Sequence, residues 1–235
     1  MNRVIVWFVA AAVIILALFG VLVLLGPTIV QSAATQAIQQ ETGVPVRVEA
    51  RTSPWFIVDG RVRSLRVYSP SFQLNGLTLR QLDVTIDDVR VKPASLLRGQ
   101  PVVTSVGRGA GKVTLASGDI NDFLLAKNMN ASVEIRDHDL FLTTYISGIG
   151  KLVLKGRLYP VGETIVYEPM DIVQPRLVSL IMAPGLWKSA GFSFDLSPLD
   201  EIFYIDRVFV STSTVEISFS LKKDALHALG ASGER

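Results

Sequence analysis

The chain has 235 residues, 49% of them hydrophobic, with a formal net charge of +2, two histidines and no cysteine. The missing thiols exclude a disulfide framework, and two histidines leave a Ser–His triad or a His-built metal site little to draw on. No Gly-x-Ser-x-Gly elbow occurs either, so the resource of this chain is apolar surface rather than reactive side chains.

Val4–Leu25, VIVWFVAAAVIILALFGVLVLL, is an unbroken apolar run with Gly20 as its one interior glycine. As a helix it is roughly 33 Å long, enough to cross a bilayer core of about 30 Å. A helix also satisfies its own backbone hydrogen bonds, which lipid requires. The apolar core of a cleaved signal peptide spans only about 7–15 residues. Ser32-Ala33-Ala34 resembles a cleavage site, but the length of the run favours a retained anchor. Arg3 precedes the run and no Lys or Arg lies between Gly26 and Val46. The N-terminus is therefore expected in the cytoplasm and the rest outside, in a bacterial periplasm or on the outer face. Absence of cysteine fits bacterial export and removes any thiol for N-terminal lipidation. Asn130-Ala131-Ser132 matches a glycosylation sequon that has meaning only in a eukaryotic secretory pathway, and is read as chance. The expected organisation is an anchor over 1–26, a single β-rich ectodomain over 27–225 and a disordered tail over 226–235.

Pro27–Thr42 reads as a helix, with proline suited to its first turn and Gly43 just past its end. Ile29, Val30, Ala33, Ala34, Ala37 and Ile38 recur at helical spacing and make a narrow stripe of mostly small residues. The stripe suits either a linker leading off the membrane or a helix lying in a curved sheet. From Val44 the period changes to two: Val46, Val48 and Ala50 alternate with Arg47, Glu49 and Arg51. Trp55–Val58 is a short apolar run closed by Asp59-Gly60. Arg61–Tyr68 is a strand whose phase slips near Ser64-Leu65, with turns expected at Ser69-Pro70-Ser71 and Asn75-Gly76. Leu77–Val91 alternates with slips at Arg80-Gln81 and Asp87-Asp88. Such slips are what bulges produce, and bulges bend a sheet. Asp87 and Asp88 would point to opposite faces if the chain there were extended.

Strand signals resume at Val102-Val103 and Lys112–Leu115, around a Gly107–Gly111 stretch that leads into a strand. A phosphate-cradling loop would open into a helix instead. Ser117 is the expected cap of a short helix, Asp119–Ala126, with Ile120, Phe123 and Leu124 as its buried face. Alternating strands then cover 131–136, 140–146, 151–159, 164–173, 191–196 and 202–221, with Asp137-His138-Asp139 as a hairpin turn. Pro175–Ala190 is densely apolar around Pro184-Gly185 and suits a core plug or the mouth of a groove. Charge is divided: Arg47–Lys112 carries eleven basic against five acidic residues, and Val113–Arg235 eleven against fifteen. The basic half suits anionic headgroups or ordinary solvated surface.

Three stretches carry a family resemblance: Val44–Val91, particularly Gly60 with RVRSLRVYS and NGLTLRQLDVTIDDVRV; Gly111–Leu115 followed by Asp119-Ile120-Asn121; and Phe192–Leu221. In these the chain resembles the LmeA-like phospholipid-binding family of bacterial cell-envelope proteins. The resemblance implies an exported, membrane-associated protein that holds phospholipid in an apolar groove, akin to tubular lipid-binding folds, and it supplies no catalytic residue. The fold expected is mainly β (α+β), a long curved antiparallel sheet wrapped around a helix. Acyl chains are expected against Ile29, Val30, Ala34 and Ile38, against Trp55 and Phe56, and against Leu180, Met182, Leu186 and Trp187. Core packing is the competing role for Phe56. Headgroups are expected at Arg47, Arg51, Arg61 and Arg63. No enzyme activity, cofactor, metal or nucleic acid is expected; the partners are phospholipid and an anionic membrane surface. The alternative is a structural or assembly protein that docks envelope proteins through its sheet edges.

Overall fold

The computed structural model describes residues 28, 31–32, 35–36, 45–53, 56–92, 95, 102–147, 150–174, 191–200 and 202–222. The expected anchor, the 175–190 segment and the tail lie outside them. Thr28, Gln31, Ser32, Thr35 and Gln36 are helical. Among the described residues no helix is long and apolar enough to cross a membrane.

The first elements are β1 (Arg47–Thr52), α1 (Phe56–Asp59), β2 (Arg61–Leu74), β3 (Leu77–Val91), β4 (Val103–Ser105), β5 (Gly109–Ala116) and α2 (Ser117–Ala126). There follow β6 (Ala131–Arg136), β7 (Asp139–Ile146), β8 (Gly150–Val161), β9 (Thr164–Gln174), β10 (Ser193–Asp195), α3 (Ser197–Asp200), β11 (Phe203–Val210) and β12 (Thr214–Leu221). The fold is mainly β. One sheet has the order β1-β2-β3-β5-β12-β11, with β4 on β3; the other runs β10-β9-β8-β7-β6. The chain forms two compact units: Met1–Val67, Thr85–Gly109 and Leu229–Arg235 in the first, Tyr68–Val84 and Ala110–Ala228 in the second.

Local chemistry explains most boundaries. Asn75 and Gly76 are both left-handed, at φ 51° and 84°, the geometry of a two-residue hairpin turn. Both expected slips of β3 are real: Gln81 and Asp88 stand at φ 51° and 53°. As a result Asp87 and Asp88 are both exposed, where an extended chain would separate them. The Asp137-His138 turn is likewise left-handed at both residues. Two expectations are corrected. The 69–71 turn is absent, and β2 runs through Pro70, because proline's φ is compatible with an extended chain wherever the ladder does not need its N–H. Ser117 is the first residue of α2 and not its cap. The cap position is Ala116, whose backbone N–H donates to Asp119 Oδ2 at 3.0 Å.

The second unit has a ring-filled interior. Tyr167 stacks on Phe192 at 4.9 Å, Phe192 meets Phe194 edge-on at 5.2 Å, and Phe194 meets Phe123 of α2 at 5.2 Å. The Tyr167 hydroxyl donates to Leu154 O at 3.1 Å, and burial pushes its phenol well up. Register places Val133, Leu142 and Leu154 in one row, all buried, facing this core. The opposite face is solvated, with Lys155–Asp139 at 2.6 Å and Arg157–Glu168 at 2.9 Å.

Candidate functional site

In the first unit, alternation separates apolar from basic side chains onto two faces. Ala50, Val62, Val89 and Val91 are buried together with Phe56, and Leu65, Ile86, Val103 and Val106 pack partly buried against them. The intervening residues Arg47, Arg51, Arg61, Arg63 and Arg90 are exposed. The four arginines expected at headgroups therefore share the solvent face, back to back with the apolar core and not around its rim. Two of them have partners: Arg47 Nη2 lies 3.3 Å from Glu49, and Arg61 Nε donates to Asp88 Oδ1 at 3.0 Å with Nη2 on the same oxygen. The hydrogen bond and charge of Arg61 hold the Asp88 carboxyl below its usual range. The Asp88 bulge has backbone support as well, since Gly107 N–H donates to Asp87 O at 3.1 Å. A Cβ at Gly107 would lie 2.7 Å from Asp87 O, so only glycine fits.

In the second unit, the antiparallel register of β5, β12 and β11 stacks apolar side chains in rows. Val210, Val215 and Leu115 make one row, Val208, Ile217 and Val113 the next, then Ile205, Phe219 and Gly111, and finally Phe203 with Leu221. The β5 and β12 members Val113, Leu115, Val215, Ile217 and Phe219 are buried. The β11 members Phe203, Ile205, Val208 and Val210, with Leu221 beside them, are only half-buried. Gly111 makes the face smooth: a Cβ there would meet the Phe219 ring, with Cζ at 2.7 Å, and Val84 Cγ2 at 3.1 Å. Phe219 in turn packs on Phe203 with ring centroids 4.8 Å apart. The other face of the same strands is mixed: Lys112–Glu216 at 3.4 Å and the Ser220 hydroxyl donating to Asp206 at 2.9 Å stand beside the exposed rings of Tyr204 and Phe209. A half-covered apolar face of this kind can hold an alkyl chain by burial alone.

The strands around this face are held in place by an ion pair. Arg80 Nε and Nη2 donate to Asp119 Oδ2 and Oδ1 at 2.7 and 2.8 Å, and Asp119 is 3% exposed. The bulge at Gln81 thus presents Arg80 to the first turn of α2. A separate hollow of about 340 Å³ opens beside α2, lined by Leu125, Asn128, Met129, Asn130, Thr143 and Tyr145 among others. None of the expected site residues lines it.

Ile29, Val30, Ala34, Ile38, Trp55, Leu180, Met182, Leu186 and Trp187 lie outside the described residues. Phe56 is 6% exposed, within the core of the first unit. The half-buried set on β11 was not singled out from sequence. Its signal is the alternation Phe203, Ile205, then Val208 and Val210, with a slip at Asp206-Arg207 that matches the observed register shift.

A family model described as LmeA-like phospholipid-binding matches residues 21–219. No curated protein and no solved structure matches the chain.

Proposed function

The chain belongs to the LmeA-like phospholipid-binding family, and from that premise we propose that it is a non-catalytic, membrane-anchored lipid-binding protein of the cell envelope. In this reading Val4–Leu25 is an uncleaved anchor with the N-terminus in the cytoplasm. The domain beyond it is extracytoplasmic and serves envelope lipid homeostasis or transfer. Its groove is that of a curved sheet around a helix, as in tubular lipid-binding folds. The observation that carries the acyl site is the half-buried row Phe203, Ile205, Val208 and Val210 beside the buried Phe219 and Ile217. Each methylene moved from water onto such a face gains about 0.8 kcal/mol, so half an acyl chain already gives useful affinity. The arginine-bearing face of the first unit faces an anionic membrane surface in this account, and other envelope proteins are possible further partners.

Native mass spectrometry of the full-length protein, extracted in non-ionic detergent, tests the reading. The expected spectrum contains protein with phospholipid retained after the detergent is stripped. A protein that stays empty, even after incubation with phospholipid vesicles, would contradict it and favour an assembly role through sheet edges.

A further inference from the structure

We infer that Arg51 and Arg63 form a two-guanidinium site for the phosphate of an anionic bilayer lipid, on the sheet face opposite the first unit's apolar core. Ser53 N–H donates to Arg61 O at 3.0 Å where the chain leaves β1 and enters β2. Counting two residues back along β1 and two forward along β2 brings Arg51 across from Arg63. Both are exposed, and their neighbours Ala50 and Val62 are buried, so both guanidinium groups stand on the solvent face.

Like charges directly opposite on a ladder are destabilising unless something neutralises them. Of the other arginines named on this face, Arg47 has that neutralisation from Glu49 and Arg61 from Asp88, whose carboxylate also feels the charge of Arg90. Among the described residues neither Arg51 nor Arg63 has a carboxylate partner. Over the described residues of this unit, eight basic side chains stand against four acidic ones, so the local field attracts anions. Two adjacent planar forks match the two non-bridging oxygens of a phosphodiester, which a spherical halide does not offer. A bilayer supplies phosphate at high local density, and an anionic one attracts every basic residue near its surface.

Because the pair stands on the solvent face, the phosphate it grips belongs to a lipid whose chains do not lie in the first unit's apolar core. This inference rests on the phospholipid-binding reading only in taking a lipid as the source of the phosphate.

Arginine-selective labelling with phenylglyoxal, read residue by residue by mass spectrometry, tests it on the full-length protein in non-ionic detergent. Bicelles containing phosphatidylglycerol should slow labelling of Arg51 and Arg63 by roughly thirtyfold, the factor that corresponds to about 2 kcal/mol for two basic residues at an anionic surface. Arg47 and Arg61 should change little. Phosphatidylcholine bicelles should protect far less. Equal protection of all four arginines, or of none, would overturn the site. Protection by inorganic phosphate at the same phosphate concentration would overturn the bilayer source. Native mass spectrometry of the Arg51→Gln/Arg63→Gln variant separates this site from the acyl site. Retained phospholipid is expected, and its loss would show that the arginines hold that lipid instead. Protection in a protein that never retains phospholipid would remove the acyl reading and leave this one standing.

Discussion

The second unit closes its interior with aromatic rings, whereas among the described residues the first relies on Ala50, Val62, Val89 and Val91 around one ring, Phe56. Rings are large and rigid, and the Tyr167–Phe192–Phe194–Phe123 chain fills the space between one sheet and a helix. The first unit instead leaves Leu65, Ile86, Val103 and Val106 partly exposed. The contrast teaches that each unit pairs a different kind of core with a different kind of exposed face. A filled core supports a half-open apolar face at β11, while a thin core supports a face rich in arginine.

Truncation at the two cores breaks or sharpens that contrast most strongly. Phe194→Ala should destabilise by about 3–5 kcal/mol, because the ring is 1% exposed and meets two others edge-on. Phe56→Ala should cost about 3 kcal/mol or less, since partly buried neighbours can close on the gap. Denaturant titration of the full-length protein measures both. Equal costs would show that the first core is as tightly packed as the second.

A smaller effect is expected at Gly156. A Cβ there would lie 2.5 Å from Glu168 O and 2.5 Å from the Tyr167 ring. Gly156→Ala should therefore cost about 1–3 kcal/mol by overpacking between β8 and β9. Hydrogen exchange should show the loss of protection centred on β9. A fully protected β9 would mean that the ring moves aside at no cost.

Both turns and slips were legible because they follow from short-range sterics. Asn75-Gly76 and the slips at Gln81 and Asp88 needed only the alternation around them to be placed. The buried face of α2, with Ile120, Phe123 and Leu124, was read equally directly. Pro70 misled because a proline reads as a turn whenever its place in the ladder is unknown. The half-buried state of β11 was not legible, since alternation assigns a face but not how completely another layer covers it. Nor was the pairing of Arg61 with Asp88, which depends on contact between residues 27 apart in sequence. That pairing decides which arginines are left for other work.

The smallest effect is electrostatic. Asp88 has a folded pKa below its unfolded value because Arg61 hydrogen-bonds it and then stabilises its charge. Its contribution is full above the ordinary carboxylate range and is lost as pH falls through the folded value. The stability difference between wild type and Asp88→Asn should thus be present at neutral pH and vanish only below about pH 4. Both groups are exposed, so screening keeps the difference small and added salt should shrink it further. A difference that grows toward acid pH would reverse the assignment.

The central claim is that an acyl chain lies on the half-open apolar face of the second unit. Photo-crosslinking tests it most directly, using full-length protein loaded with a phospholipid that carries a diazirine in its acyl chain, followed by peptide mapping. The account predicts crosslinks on β11 and β12, at Phe203, Ile205 and Leu221 ahead of the opposite-face residues Arg207 and Glu216. Crosslinks confined to that opposite face, or absent from both strands in a protein that retains the lipid, would contradict it.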